Sequence, residues 1–108
     1  MALTLQNLAD SLPAGTVKVS GGTVVIDLSL LLEQTVNSLD SDTVSDVFRK
    51  LSKGAYDAQT AFNTANPTSV ISSYGLPRSG VVTNDQVNET VTISWTRALV
   101  SDSSEVQS

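Results

Sequence analysis

The sequence predicts an α+β fold, with a small antiparallel sheet packed against one long central helix and one or two short helices. Three stretches lead to this. Residues 16–28 carry a hairpin signal, residues 41–65 carry an apolar seam at helical spacing, and residues 90–99 alternate apolar and polar side chains. Strands lie at both ends and helix in the middle, so the sheet is antiparallel rather than wound by crossovers.

The elements follow in chain order. Residues 3–12 read as a short helix, with Leu5, Leu8, Ala9 and Leu12 at helical spacing and Thr4 as its cap. Pro13-Ala14-Gly15 ends it. In the hairpin, Val17 and Val19 flank Lys18, and Val24-Val25-Ile26-Asp27-Leu28 follows the turn Ser20-Gly21-Gly22-Thr23. Two glycines supply the positive φ that a tight primed turn needs. The second strand is apolar on both faces around Val25, a pattern that calls for cover on both sides.

Residues 29–39 read as a helix capped by Ser29, because Leu32, Val36 and Leu39 keep i, i+4, i+7 spacing; continuation of the strand through Leu32 is the alternative. The main helix spans 41–65. Its seam is Val44, Phe48, Leu51, Ala55, Ala58, Phe62 and Ala65, with Thr43 to Asp46 as a capping box. Asn66-Pro67 stops it and opens a further short helix over 67–74, closed by Gly75. Residues 76–80 read as a loop and Val81-Val82-Thr83 as a short strand. Asn84-Asp85 marks a turn, with Gln86 to Glu89 in it or in a longer loop. Thr90 to Leu99 reads as a half-buried strand.

The 108 residues match one domain, assigned to 1–100, followed by a polar tail over 101–108 expected to be disordered. A hydrophobic content of 40% separates the chain from disordered sequences.

Two absences bound the chemistry. Without cysteine there is neither a disulfide nor a thiolate nucleophile, and without histidine the commonest general base and transition-metal ligand are missing. The net charge of −5, with only six basic residues, argues against nucleic acid and against an anionic membrane surface. No apolar run approaches the roughly 20 residues of a membrane span, and no basic-then-apolar leader opens the chain. A cytoplasmic location is the default expectation.

Motifs are sparse. Asp40, Asp42 and Asp46 suggest a calcium loop, but Val44, Ser45 and Leu51 stand where a ligand, a glycine and an acid belong, so helix capping is the better account. The glycines form no phosphate-binding pattern, and no cofactor is expected. Asn88-Glu89-Thr90 matches a glycosylation sequon that short sequences meet by chance.

Six residues stand out as interface or ligand candidates: Val25, Asp27, Tyr74, Arg78, Trp95 and Arg97. Val25 centres the doubly apolar strand. Asp27 interrupts that strand, either as a partly buried acid or, more simply, as the cap of the next helix. Arg78 follows Tyr74 in a loop rich in proline and glycine and suits an anion. Trp95 is the single tryptophan and suits an interface anchor, with Arg97 on the same face by alternation.

These readings favour a non-catalytic structural or interaction protein, partnered by another copy of itself or by another protein. A small-molecule module for an anionic ligand is the alternative, with Tyr74, Arg78 and Arg97 orienting the ligand between sheet and helix. An enzyme using Asp27 and a second carboxylate ranks last.

Overall fold

The computed structural model describes residues 3–40 and 44–94. The α+β class holds, with the strands divided between two separate two-stranded antiparallel hairpins. The order is α1 (Leu5–Asp10), β1 (Val17–Ser20), β2 (Thr23–Ile26), α2 (Leu28–Leu32), α3 (Val44–Ala65), β3 (Arg78–Thr83) and β4 (Gln86–Thr90).

Thr4 caps α1 as its sequence indicates. Its hydroxyl accepts from the Asn7 amide at 3.2 Å, and the Asn7 side chain accepts from the Thr4 amide at 2.8 Å. This reciprocal pair satisfies two of the donors a helix start leaves free. The chain then turns through Pro13, whose carbonyl accepts from the Thr16 amide at 3.0 Å. Strands β1 and β2 pair from Ser20 with Thr23 to Val17 with Ile26. Gly21 and Gly22 have φ of 58° and 79°, the left-handed pair of a primed turn.

Residues 29–39 depart from expectation. Asp27, not Ser29, caps α2, accepting from the Leu30 amide at 3.1 Å. The helix stops at Leu32 because Glu33 turns left-handed at φ 56°. Ser29 instead holds the chain beyond the helix, its hydroxyl accepting from the Val36 amide at 2.9 Å. Leu39 therefore never joins a helical face and lies fully exposed.

Helix α3 runs as one element to Ala65. Of the expected capping box Thr43 to Asp46, Thr43 lies outside the described residues, as do Ser41 and Asp42 before it. The helix buries Ser52, Gly54, Ala58 and Gln59, while the seam residues Val44 and Phe48 stay exposed. The core forms where α2 and α1 meet α3. Leu31, at 1% exposure, Leu32 and Ala58 are its buried apolar side chains among the described residues. Gly54 lets α1 and its following turn approach α3, since a Cβ there would stand 2.5 Å from Leu12 Cδ2.

No helix forms over 67–74. Asn66 closes α3 instead of opening a second helix, its amide and side-chain nitrogens both donating to the Phe62 carbonyl at 2.9 Å. The chain returns extended along α3, and Tyr74 pairs antiparallel with Ile93. Gly75, expected as a helix stop, serves a close approach: a Cβ there would lie 2.8 Å from the Thr92 carbonyl oxygen.

The second hairpin is longer than its sequence suggests. Strand β3 begins at Arg78, inside the expected loop, and Gln86 to Glu89 are strand rather than turn. Asn84 and Asp85, at φ 53° and 61°, make the two-residue turn alone. Strand β4 ends at Thr90, where the expected strand Thr90 to Leu99 begins. The segment Val91 to Ser94 has only the bridge at Ile93, and residues from 95 onward lie outside the described residues.

Candidate interaction site

Two apolar surfaces stand open. The first is a face of the β1–β2 hairpin. Direct cross-strand partners share a face, and side chains alternate along a strand. Val17 with Ile26 and Val19 with Val24 therefore line one side, and Lys18 with Val25 the other. Val19 is 72% exposed, Val24 47% and Ile26 42%. Cover on both sides of β2, expected from its sequence, is thus not supplied by the described residues.

The second surface is a cleft of about 470 Å³ between the first half of α3 and strand β4. Val44 and Phe48 line it from the helix, Val87 from β4, and Val91 and Pro77 from the segments that flank the hairpin. Every residue of β3 and β4 is exposed. An ion pair ties the hairpin to the helix, Arg49 Nε lying 2.8 Å from Glu89 Oε1. Beside it, Lys50 and Lys53 join Arg49, Leu76, Pro77 and Glu89 around a smaller hollow of about 310 Å³.

The segment leading into this hairpin is fixed with more precision. Gln59 and Asn63, one turn apart on α3, each bond a backbone unit from both ends. Gln59 accepts from the Tyr74 amide and donates to the Tyr74 carbonyl, both at 3.0 Å. Asn63 accepts from the Ile71 amide at 2.7 Å and donates to the Ile71 carbonyl at 2.8 Å. Neither residue was a sequence candidate. A polar i, i+4 pair beside an apolar seam was the signal.

The six candidates disperse. Val25 is half-buried opposite Lys18 in the first hairpin. Asp27 caps α2 and lies 3.6 Å from Lys18 Nζ, so its neighbour is a cation and not a second acid. Tyr74 is half-buried, held through its backbone. Arg78 is exposed in β3, not in a loop, and does not line the cleft.

A bulge sets the cross-strand partner of Arg78. Ser79 pairs with Glu89 and Val82 with Val87, so two residues of β3 face Asn88 alone. Arg78 consequently pairs with Thr90, on the side of Gln86 and Asn88. A regular ladder would have set it opposite Val91, on the side of Glu89. Trp95 and Arg97 lie outside the described residues.

The chemistry is correspondingly spare. Among the described residues, no cluster of three metal-binding side chains occurs, and no helix is long and apolar enough to cross a membrane. The Ser38 hydroxyl and a backbone amide, both bonded to Asp40, hold its exposed carboxyl below the usual carboxylate value. Comparison with known protein families, with characterised proteins and with solved structures finds no match for this chain.

Proposed function

We propose that this chain is a non-catalytic structural module that self-associates through its uncovered apolar surfaces. The observation that carries the reading is the apolar face of the two-stranded β1–β2 hairpin, where Val17 is half-buried and Val19, Val24 and Ile26 are exposed. Such a hairpin is marginal in water until a further strand or layer covers its apolar side. Burying that face against another copy gains about 25 cal/mol per Å² of apolar surface. The exposed Val44, Phe48, Val87 and Val91 around the cleft add a second patch of the same character.

Size-exclusion chromatography with light scattering, at two protein and two salt concentrations, tests this directly. A dimer or larger species that persists in high salt is expected, because apolar burial is not screened. A constant mass of 11.3 kDa overturns the reading.

The cleft favours a second reading, a binding site for an anionic small molecule. Its cation is Arg49, while Tyr74 and Arg78 do not line it; Glu89 already engages Arg49, so a ligand would have to displace that carboxylate. Thermal stabilisation by an acidic metabolite, lost on Arg49→Ala, supports this second reading. A flat response across an acidic library removes it.

A further inference from the structure

We propose that the second copy docks on the free edge of β2, antiparallel to its own counterpart about a two-fold axis at Val25; this rests on the self-association reading above. The Asp27 amide donates to the Thr16 carbonyl at 2.7 Å, which continues the β1–β2 ladder one residue past Val17 and Ile26. Bonded and non-bonded pairs alternate in such a ladder. Lys18 with Val25 is therefore a bonded pair, and Val17 with Ile26 and Val19 with Val24 are not. The backbone N–H and C=O groups of Val24 and Ile26 point out of the free edge of β2, and those of Val17 and Val19 point out of β1.

The two edges are not equivalent. Helix α1 packs beside β1, and β1 carries Lys18 at its centre. Pairing β1 with itself would set one Lys18 against the other, and directly opposed like charges are unfavourable. Strand β2, Thr23 to Ile26, carries no charge and has β1 as its only strand neighbour among the described residues. In the proposed register Val24 exchanges backbone hydrogen bonds with Ile26 of the second copy, Val25 meets Val25, and Asp27 falls beside Thr23. No carboxylates are opposed. The product is a four-stranded sheet in which Val24 and Ile26 of each copy pack flank to flank with those of the other, so that part of the apolar face is buried at the seam. The pairing also supplies partners for the outward backbone groups of β2.

Light scattering on charge-swapped variants tests the register. Val25→Glu suits its own hairpin, where it faces Lys18, but sets two carboxylates together at the axis. We expect the dimer dissociation constant to rise at least about tenfold, with helix content unchanged by circular dichroism. Val25→Lys, which also opposes Lys18 within its own hairpin, should dissociate the dimer too, and an equimolar mixture of the two variants should recover it. Val24→Pro, which removes an outward N–H and leaves the inner ladder intact, should also dissociate it and decides the matter if a charged variant misfolds. A dimer unaffected by Val24→Pro, or a mixture that stays monomeric, overturns this edge while leaving self-association standing. A wild-type protein that is monomeric throughout overturns both.

Discussion

Gln59 and Tyr74, fifteen positions apart in sequence, exchange two hydrogen bonds of 3.0 Å each between a side-chain amide and a backbone unit. On its other edge the same stretch bonds to the final segment. The Gly75 amide donates to the Thr92 carbonyl, and the Ser94 amide to the Ser73 carbonyl, both at 2.8 Å. Gln59 therefore completes a row that begins as strand pairing, standing where a third strand would stand.

Replacing Gln59 by Leu should cost about 2–3 kcal/mol, since two bonds vanish and the Tyr74 amide and carbonyl lose their partners. Urea denaturation measures the loss, and hydrogen exchange at the Tyr74 amide should quicken. Gln59→Glu keeps the acceptor but regains the donor only when protonated. Its folded-state pKa is then raised, so stability is present at low pH and lost as pH rises through that value.

Thr16 is fully buried, and its hydroxyl oxygen has no hydrogen-bond partner among the described residues. Thr16→Val keeps the shape and removes the orphaned group. Thermal unfolding should show a gain of about 1 kcal/mol. An equal loss would mean that the hydroxyl finds a partner in solution.

Gly54→Ala sets two effects against each other. Alanine gains about 1 kcal/mol in helix propensity, but its Cβ would stand 2.5 Å from Leu12 Cδ2 and 3.1 Å from Leu12 Cγ. Overpacking of this kind costs about 1–3 kcal/mol, so a net loss of about 1 kcal/mol is expected. In a Leu12→Ala background the same change should become neutral or stabilising, a non-additivity that a double-mutant cycle would read.

Asp27→Ala should cost about 1 kcal/mol through loss of the α2 cap. Asp27→Asn should cost only a few tenths, because asparagine caps as well and the half-exposed pair with Lys18 contributes little. Chemical denaturation of both variants separates cap from charge.

What the sequence disclosed was local. Gly21-Gly22 and Asn84-Asp85 announced their turns because positive φ is a property of the residues themselves. Helix α3 showed its long periodicity, and Thr4 showed its cap. Val25 and Asp27 were found in the hairpin that now carries the proposal. What stayed hidden depended on partners distant in the chain. Residues 67–74 had sound helix signals, but Asn63 and Gln59 claimed their backbone groups. The spacing of Leu32, Val36 and Leu39 was helical, yet Glu33 adopted a left-handed turn that glycine more often occupies. The cross-strand partner of Arg78 followed from a residue count that no single strand reveals.

That count has a genetic consequence. Between Ser79 and Val82, β3 holds one residue more than β4 needs. Deleting Gly80 would leave Arg78 opposite Thr90, Ser79 opposite Glu89 and Val82 opposite Val87, merely straightening the strand. Deleting Asn88 from the facing strand would double the mismatch and break the ladder. The hairpin thus carries its length tolerance on one side only, and a codon lost from β3 should be survived where one lost from β4 is not.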